Sequence, residues 1–269
     1  MTKHPTIIFA GDRALSVRIL QFILEKGCRP AALMVPALPG TSHAKKLIAL
    51  CKPFLPSDRV FVGVEFKSDR GIKHLQQIAP DYIIGIHFPY LIPKPVLDIP
   101  KRGFLNLHPA FLPYNRGWHT PSWAIFDDTP YGATLHLMAE QLDAGNILVQ
   151  KRLPIAPDDT ADSLYKKALE LEYHVFVAFW PKLLSGRYTT IPQDHARTTA
   201  HNKSDLETLR RIDPKQRVST DQLLRRLRAL TTNRLEEAAY FEHEGVRYRV
   251  QIAISPEHTP KKRRHRARR

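Results

Sequence analysis

Short apolar segments alternate with helix-length amphipathic segments along the first 110 residues of the chain. The apolar segments have the length and composition of buried strands and cover residues 6–11, 31–35, 82–86 and 103–108. The segments between them repeat apolar residues at helical spacing and cover residues 14–26, 42–50 and 69–78. Strands that alternate with helices in this way predict a parallel-rich sheet with helices on both faces, which is an α/β fold.

Two further strands and one long helix are predicted after the alternating segments. The strands cover residues 131–138 and 145–153, and an amphipathic helix follows at 160–184. Composition changes after Gly186. We therefore assign residues 1–187 to one N-terminal domain that contains the whole predicted sheet.

The rest of the chain is predicted to contain three parts. Residues 188–203 have no periodicity and are interpreted as a linker. Residues 204–256 predict a small C-terminal α+β subdomain, with helices at 204–211 and 220–230 and strands at 239–243 and 246–254. Gly245 supplies the turn that makes these two strands a β-hairpin. Residues 257–269 are a basic tail, which we expect to be disordered.

The positive charge of the chain is concentrated in this tail. The chain has 41 Lys and Arg residues against 26 Asp and Glu residues, a formal net charge of +15. The last nine residues, KKRRHRARR, carry seven positive charges and no negative charge, so the remaining 260 residues carry +8. The tail could bind nucleic acid, keep the protein soluble or have no function. We do not expect nucleic acid to be the partner.

Composition excludes several classes of protein. Hydrophobic residues make up 43% of the chain and charged residues 25%, which is typical of a globular protein with a core. No apolar run approaches the ~20 residues of a membrane span, and the N-terminus does not resemble a secretory signal. Cys28 and Cys51 cannot form a zinc site alone, and no metal is expected. The sequence therefore predicts a soluble, cytoplasmic protein without a membrane partner.

Three polar residues are candidates for a shared site. Asn106 and His108 lie two residues apart at the end of an apolar strand, so both side chains point to one face. The carboxyl end of a parallel strand is also where open α/β sheets bind ligands. Asp143 lies in a turn between two predicted strands. Each residue also has a purely structural interpretation, as a hydrogen-bonded histidine or as a turn-forming aspartate.

Three separated motifs resemble the signature of the folate-dependent formyltransferases. They are LNLHP at 105–109, LPYNRG at 112–117 and LDAG at 142–145, in the order and at the spacing of that family. LPYNRG and the segments at 227–231, 239–241 and 245–250 are similar to the members that act on nucleotide-linked amino sugars. The resemblance covers residues 5–254. It implies a Rossmann-like formyltransferase core with a small C-terminal α+β appendage.

By this resemblance, Asn106, His108 and Asp143 are the catalytic residues. In formyl transfer an amine attacks a formyl carbon, and an oxyanion and a positively charged nitrogen develop. Asn106 can donate a hydrogen bond to the oxyanion. His108 can donate to it when protonated or accept the amine proton when neutral, and Asp143 would orient the imidazole and favour its charged form. Asp143, His108 and a water all stay candidates for the final proton acceptor.

The resemblance also implies which residues bind the two substrates. The formyl donor would be 10-formyltetrahydrofolate, and it would lie against His87, Phe88, Pro89, Tyr90, Met138 and Gln141. The nucleotide-linked sugar would lie against Tyr114, Asn115, Arg116, Gly117 and Trp118. Arg116 suits a pyrophosphate because its guanidinium is planar, although a solvated arginine in a turn gives the same sequence. Trp123 and His136 are interpreted as structural residues.

The implied function is transfer of a formyl group to the amine of a dTDP-linked amino-deoxy sugar. The first candidate acceptor is dTDP-4-amino-4,6-dideoxyglucose, followed by a 3-amino isomer, and the pathway would be deoxysugar biosynthesis such as that of lipopolysaccharide O-antigen. The C-terminal appendage would help to form a homodimer. The alternative is a methionyl-tRNA formyltransferase-like or RNA-associated protein that uses the basic tail, whose binding would weaken steeply with salt.

Overall fold

A seven-stranded sheet runs through the computed structural model, which describes residues 4–37 and 43–257 of the chain. The described strands, numbered along the chain, are β1 (Ile7–Gly11), β2 (Ala32–Val35), β3 (Val60–Val62), β4 (Tyr82–Ile86), β5 (Phe104–His108), β6 (Arg116–Gly117), β7 (Gly132–Leu137), β8 (Ile147–Arg152), β9 (Ala200–His201), β10 (Ala239–His243) and β11 (Val246–Val250). The order in the large sheet is β3-β2-β1-β4-β5-β7-β8. The first five of these strands are parallel, and β7 and β8 are antiparallel to their neighbours. The predicted α/β fold with a parallel-rich sheet is confirmed.

Helices cover both faces of this sheet. The described helices are α1 (Arg13–Glu25), α2 (Ala44–Cys51), α3 (Asp69–Ile78), α4 (Lys94–Leu97), α5 (Thr120–Phe126), α6 (Ala161–Ser185), α7 (Glu207–Arg210) and α8 (Thr220–Leu230). We call the face that packs with α1, α2 and α6 the first face, and the face that packs with α3 and α4 the second face. Among the described residues, no helix is both long and apolar enough to cross a membrane.

Alternation along β5 places the candidate residues on the second face. Leu105 and Leu107 pack into the core of the first face, whereas Phe104 packs into the core of the second face. Successive strand residues point to opposite faces, so Asn106 and His108 follow Phe104 on the second face. They therefore lie at the carboxyl end of β5, as the sequence predicts.

The C-terminal region packs against α5 through a small apolar cluster. Trp123 of α5 contacts a buried group that comprises Leu206, Leu230 of α8 and Ala239 of β10. The predicted helix at 220–230 and the predicted strand at 239–243 have the predicted bounds, whereas the second hairpin strand ends at Val250 instead of residue 254. The structure thus contains the predicted helices and β-hairpin of this region.

The connecting segment (residues 188–203), predicted as a linker, makes regular contacts with the N-terminal domain. Ile191 and Ile147 exchange two backbone hydrogen bonds of 2.8 Å. Further along, β9 pairs in parallel with β6, and Thr199 O accepts from Arg116 N at 2.9 Å. A two-residue strand leaves no periodicity in sequence, which is why this pairing could not be predicted. Residues 258–269 of the predicted basic tail and the predicted start of α2 at residue 42 lie outside the described residues.

Candidate active site

Asn106 and His108 sit between a glycine on one neighbouring strand and two polar residues on the other. On β4, Gly85 lies opposite Asn106, and a Cβ built there would lie 3.9 Å from Asn106 Oδ1. On β7, His136 lies opposite Asn106 and Thr134 lies opposite His108. The absence of a side chain at Gly85 therefore leaves space beside the Asn106 amide.

The Asp143 carboxylate is the centre of the polar contacts in this site. Its Oδ1 accepts from Asn106 Nδ2 at 3.3 Å and lies 3.6 Å from His136 Nε2. Its Oδ2 accepts from the backbone N of Gly117 at 3.0 Å and lies 3.5 Å from His108 Nε2. Asn106 and His108 of β5 thus converge with Asp143, which is 37 positions after Asn106 in the sequence, and His136 joins them.

Asp143 is ionised although it is buried. Burial by itself would raise its pKa, but His108, His136 and the N–H of Gly117 favour the charged form and hold the pKa of Asp143 well below its usual range. The residue also has a left-handed backbone, with φ 51°. Left-handed backbone at a residue other than glycine costs free energy, and aspartate tolerates it better than most residues. The turn is therefore held in place by its surroundings.

The hydrogen-bond partners determine which ring nitrogens carry hydrogen. His108 Nε2 lies 3.3 Å from Asn115 O, which can only accept, so Nε2 is protonated. Nδ1 of His108 has no hydrogen-bond partner among the described residues. In His136, Nδ1 donates to Leu137 O at 2.7 Å, and Nε2 lies 3.3 Å from Asn106 Nδ2 and 3.6 Å from Asp143 Oδ1. Nδ1 is therefore the ring nitrogen of His108 that is open to accept a proton.

Two glycines allow the loops around Asp143 to approach closely. Gly117 has φ 91°, and a Cβ there would lie 2.4 Å from the backbone O of His201 in β9. A Cβ at Gly145 would lie 1.9 Å from the backbone O of Leu137 in β7. Both distances are shorter than any van der Waals contact. Glycine is consequently required at both positions for the loops to close around the carboxylate.

Arg116 is not the solvated turn residue that one interpretation of its sequence allowed. The side chain is neither solvated nor turned outward, because the residue is only 7% exposed. Its Nε and Nη2 donate to Gln193 Oε1 at 3.2 Å and 2.7 Å. Burial lowers the pKa of the guanidinium, and the charge of Asp143 opposes that shift. Arg116 is therefore bound to the connecting segment, and two of its three nitrogens are already engaged.

The other predicted sugar-binding residues divide into buried and accessible ones. Asn115 is buried, and its Nδ2 donates to Thr129 Oγ1 at 2.9 Å and to Pro130 O at 3.4 Å, so the side chain supports the loop and does not face a ligand. Tyr114 is half-buried. Trp118 is 46% exposed, and Lys203 Nζ lies 5.6 Å from its ring centroid. Of this set, Tyr114 and Trp118 keep accessible side chains.

His87 is turned away from the position that the sequence predicts. Alternation along β4 would place its side chain on the second face, but its backbone is left-handed, with φ 51°. The imidazole instead contacts α6, where Nε2 lies 3.2 Å from each carboxylate oxygen of the buried Glu172. Its Nδ1 is buried and has no hydrogen-bond partner among the described residues. The His87 side chain therefore does not line the second face, which leaves the backbone of this residue for contact with a pterin.

The remaining residues predicted to bind the formyl donor lie near the second face. Phe88 and Tyr90 pack with Phe66, and the three ring centroids are 5.2–5.9 Å apart. Met138 follows β7 and packs against the same core, whereas Pro89 and Gln141 are exposed. The three aromatic rings thus line the second face next to the carboxyl end of β5.

His136 and Gln193 belong to the site, and the sequence did not identify their roles. His136 was interpreted as structural because it lies inside an apolar strand, and only the pairing of β5 with β7 places it opposite Asn106. Gln193 lies in a segment without periodicity and carries no motif. Within the described residues, no group of His, Cys, Asp and Glu is arranged to hold a metal ion.

Two family models match the chain. The model described as formyl transferase matches residues 62–179. The model described as N-formyltransferase dimerization C-terminal domain matches residues 205–256. The first match contains Asn106, His108 and Asp143.

Two curated relatives illustrate the range of similarity. The dTDP-4-amino-4,6-dideoxyglucose formyltransferase of Mycobacterium tuberculosis is 30% identical over 177 residues, which are 66% of this chain and 74% of that protein. The methionyl-tRNA formyltransferase of Myxococcus xanthus is 33% identical over 198 residues, which are 71% of this chain. The match spans 62% of the length of that tRNA enzyme.

Solved structures share the fold over nearly the whole chain. A likely sugar N-formyltransferase from Mycobacterium tuberculosis superposes with a TM-score of 0.76 at 25% identity, over 95% of this chain and 100% of that one. A sugar N-formyltransferase from Shewanella gives 0.79 at 20% identity, over 94% and 99%. An N-formyltransferase from Helicobacter canadensis, solved with folinic acid and dTDP-3-aminofucose, gives 0.66 at 18% identity, over 90% and 85%.

The low pKa of Asp143 predicts how stability depends on pH. The native carboxylate stays ionised below the pKa of ~3.9 of an unfolded aspartate, so its stabilisation is complete above about pH 5 and is lost as the pH falls. Asp143→Asn should lower the free energy of unfolding by about 1–3 kcal/mol at pH 7. The difference in unfolding free energy between wild type and variant should become smaller below pH ~4. Urea denaturation between pH 7 and pH 3 measures this, with the exposed Glu236→Gln as control. A difference that stays constant over this range would contradict the ionised state.

Proposed function

The chain belongs to the formyltransferase family, and we propose that it transfers a formyl group from 10-formyltetrahydrofolate to the amine of a nucleotide-linked amino sugar. The observation that carries this proposal is the convergence of Asn106, His108 and the ionised Asp143 at the carboxyl end of β5. Formyl transfer needs a neutral donor for an oxyanion and a base for an amine proton. The convergence supplies both.

The residues near the second face fit a folate as formyl donor. A pterin is a flat ring with a polar edge, and Phe88, Tyr90 and Met138 offer apolar surface next to backbone groups of the loops. Gly85 leaves room beside the Asn106 amide, where a Cβ would otherwise approach it. The bound folate supplies the electrophilic formyl carbon. Its presence in the Helicobacter canadensis relative as folinic acid supports this assignment.

Asn106 can stabilise the oxyanion without carrying a charge. Its Nδ2 donates to Asp143 Oδ1 at 3.3 Å, which is long for a hydrogen bond, and lies 3.3 Å from His136 Nε2. Weak contacts of this length can be exchanged for a stronger one to an oxyanion. Donors in ligand-free sites often reach their final geometry only when the substrate is bound. Asp143 and His136 thereby hold the amide close to its working position.

His108 is the proton acceptor in this proposal. Its Nε2–H is held by Asn115 O and Asp143 Oδ2, so Nδ1 accepts the proton that the attacking amine loses. The Asp143 carboxylate stabilises the imidazolium that results. As the new bond between amine nitrogen and formyl carbon forms, the bond from that carbon to the folate nitrogen breaks. His108 returns the proton to the departing nitrogen.

An amino sugar is favoured over a tRNA as the acceptor. The C-terminal region matches the N-formyltransferase dimerization domain, and the fold covers the whole chain of a likely sugar N-formyltransferase. The relative with 30% identity acts on dTDP-4-amino-4,6-dideoxyglucose, which makes this compound the first candidate and a 3-amino isomer the second. The exposed ring of Trp118 offers a surface on which the base of the nucleotide would stack. The match to methionyl-tRNA formyltransferase makes that activity the second candidate function.

The β-hairpin offers a surface for a second copy of the chain. One of its faces carries three cross-strand pairs, from Ala239 opposite Val250 to Phe241 opposite Tyr248 and His243 opposite Val246. Ala239 is buried against the body, but Tyr248 is 45% exposed and Val246 is 52% exposed. The apolar stripe thus continues beyond the part that the body covers. We propose that a homodimer covers this stripe and the open edge of β11.

A panel of acceptors tests the proposed reaction. The protein is incubated with 10-formyltetrahydrofolate and, separately, with dTDP-4-amino-4,6-dideoxyglucose, its 3-amino isomer, a UDP-linked amino sugar and methionyl-tRNA. We expect mass spectrometry to detect a formyl group on the dTDP-linked 4-amino sugar, with reactions lacking the folate as control. Preferential formylation of the tRNA would overturn the sugar assignment, and failure with every acceptor would overturn the activity.

Truncation of either catalytic side chain should abolish most of the turnover. Asn106→Ala and His108→Ala each remove a group that acts on charge in the transition state, and such losses typically cost ~10²–10³ in kcat. The exposed Asn146, whose Nδ2 donates to Thr190 Oγ1 at 3.4 Å, gives the matched control Asn146→Ala with unchanged turnover. Steady-state kinetics with saturating folate provide the comparison. Near-normal kcat in either site variant would remove that residue from the mechanism.

The dimer surface is tested by a charge in the apolar stripe. Tyr248→Glu should convert a dimer to a monomer, because a carboxylate buried against apolar side chains without a partner is strongly unfavourable. Sedimentation velocity over a range of concentrations measures the change. Val64→Glu, at a 60% exposed apolar residue of the N-terminal domain, is the control and should stay dimeric. A monomeric wild-type protein, or a Tyr248→Glu variant that remains dimeric, would refute this surface.

A further inference from the structure

A buried glutamine from the connecting segment joins the two loops that surround Asp143. Gln193 is 5% exposed and precedes the 3₁₀ turn at His195–Arg197. Its Nε2 donates to Asp143 O at 2.8 Å and to Gly145 O at 2.7 Å. Its Oε1 accepts from Arg116 Nε at 3.2 Å and from Arg116 Nη2 at 2.7 Å. One side chain thus contacts the turn that carries Asp143 and the residue of β6 that precedes Gly117.

The orientation of the Gln193 amide follows from its partners. Two carbonyl oxygens can only accept hydrogen bonds, and a guanidinium can only donate them. Nε2 must therefore face the turn, and Oε1 must face Arg116. Both amide hydrogens and both lone pairs are used, and the group is buried, so water cannot replace a lost contact at low cost. No other natural side chain of this length offers two donors on one side and an acceptor on the other.

The hydrogen bonds of Gln193 fix the backbone of the turn that carries Asp143 and, through Arg116, the strand whose Gly117 N–H donates to the carboxylate. The hydrogen bonds to Asp143 O and Gly145 O bracket the turn in which Asp143 has its left-handed backbone. The bonds from Arg116 fix the residue next to Gly117, whose N–H donates to Asp143 Oδ2 at 3.0 Å. Gln193 therefore fixes the position of the Asp143 carboxylate relative to the Gly117 N–H that donates to it. Nothing in its surroundings places it in contact with the Asn106 amide or the His108 ring.

We propose that Gln193 is a positioning residue for formyl transfer, which sets the Asp143 carboxylate relative to His108 and Asn106 through the turn at 143–145 and through Arg116. This inference rests on the proposed function, because it takes Asn106, His108 and Asp143 as the catalytic residues. It also gives Arg116 a role inside the protein. The guanidinium provides the donors that hold Gln193 Oε1, and the amide then faces the turn.

Three variants separate positioning from general support of the loops. Gln193→Met keeps the length of the side chain and removes every hydrogen bond. Gln193→Glu keeps an acceptor for Arg116 but places a carboxylate oxygen against two carbonyl oxygens. Asn146→Ala removes a different contact between the same two parts of the chain, the bond to Thr190. Thermal unfolding of all three shows whether each variant is folded at the assay temperature.

We expect both Gln193 variants to lose about 10- to 100-fold in kcat, because a displacement of ~1 Å in a catalytic group costs this much. The KM values for both substrates should change less than kcat, since Gln193 does not contact the substrates. Asn146→Ala should retain full kcat. The proposal would be overturned if Gln193→Met kept the wild-type kcat, or if Gln193→Glu alone kept full activity. It would also be overturned if Asn146→Ala lost as much kcat as the Gln193 variants.

A titration of Asp143 tests the same inference without any acceptor. The ¹³C resonance of the Asp143 carboxyl group is followed against pH in the free protein. In the wild type the carboxylate should stay ionised to the acid limit of the folded state, whereas in Gln193→Met its pKa should rise towards the ordinary value for aspartate. An unchanged titration in that variant would show that the turn does not depend on Gln193. If the acceptor panel fails but this titration shifts, the proposed substrate is wrong and the positioning contact stands.

Discussion

The buried Asp143 carboxylate is the interaction on which the geometry of the site depends. A carboxylate removed from water is costly unless charged groups and hydrogen-bond donors surround it. Here Asn106, His108, His136 and the backbone of Gly117 supply them, from β5, β7 and β6. Each of these groups is in turn oriented by the carboxylate. The same contacts therefore stabilise the charge and align the candidate catalytic side chains.

The chain meets this requirement by bringing distant segments to one end of the sheet. The pairing of β5 with β7 places His136 opposite Asn106, and the connecting segment covers the remaining side through β9 and Gln193. Gly117 and Gly145 permit backbone approaches that any side chain would block. The C-terminal region packs on α5 beyond the connecting segment. Its β-hairpin carries the exposed side chains of Val246 and Tyr248.

Much of the candidate site was predictable because its residues lie in patterns that reflect local geometry. Asn106 and His108 are two apart in a strand, and their common face follows from the period of two. The roles of Arg116, Asn115 and His87 were not predictable in this way. The Arg116 side chain is held inside the protein by its hydrogen bonds to Gln193, 77 residues further along. The Asn115 side chain is held by hydrogen bonds to Thr129 and Pro130. His87 is turned towards Glu172 by a left-handed backbone that no motif encodes.

The sequence by itself determined the alternation of strands and helices, the parallel-rich sheet, the C-terminal β-hairpin and the three catalytic candidates. These features depend on the spacing of residues along a single element, and that spacing is visible in a linear chain. Only the tertiary structure decided that His136 and Gln193 join the site, that the connecting segment packs against it, and that Arg116 faces inward. Contacts between residues 30 to 77 positions apart depend on strand pairing and loop closure. No local pattern records them, because their partners become neighbours only when the chain has folded.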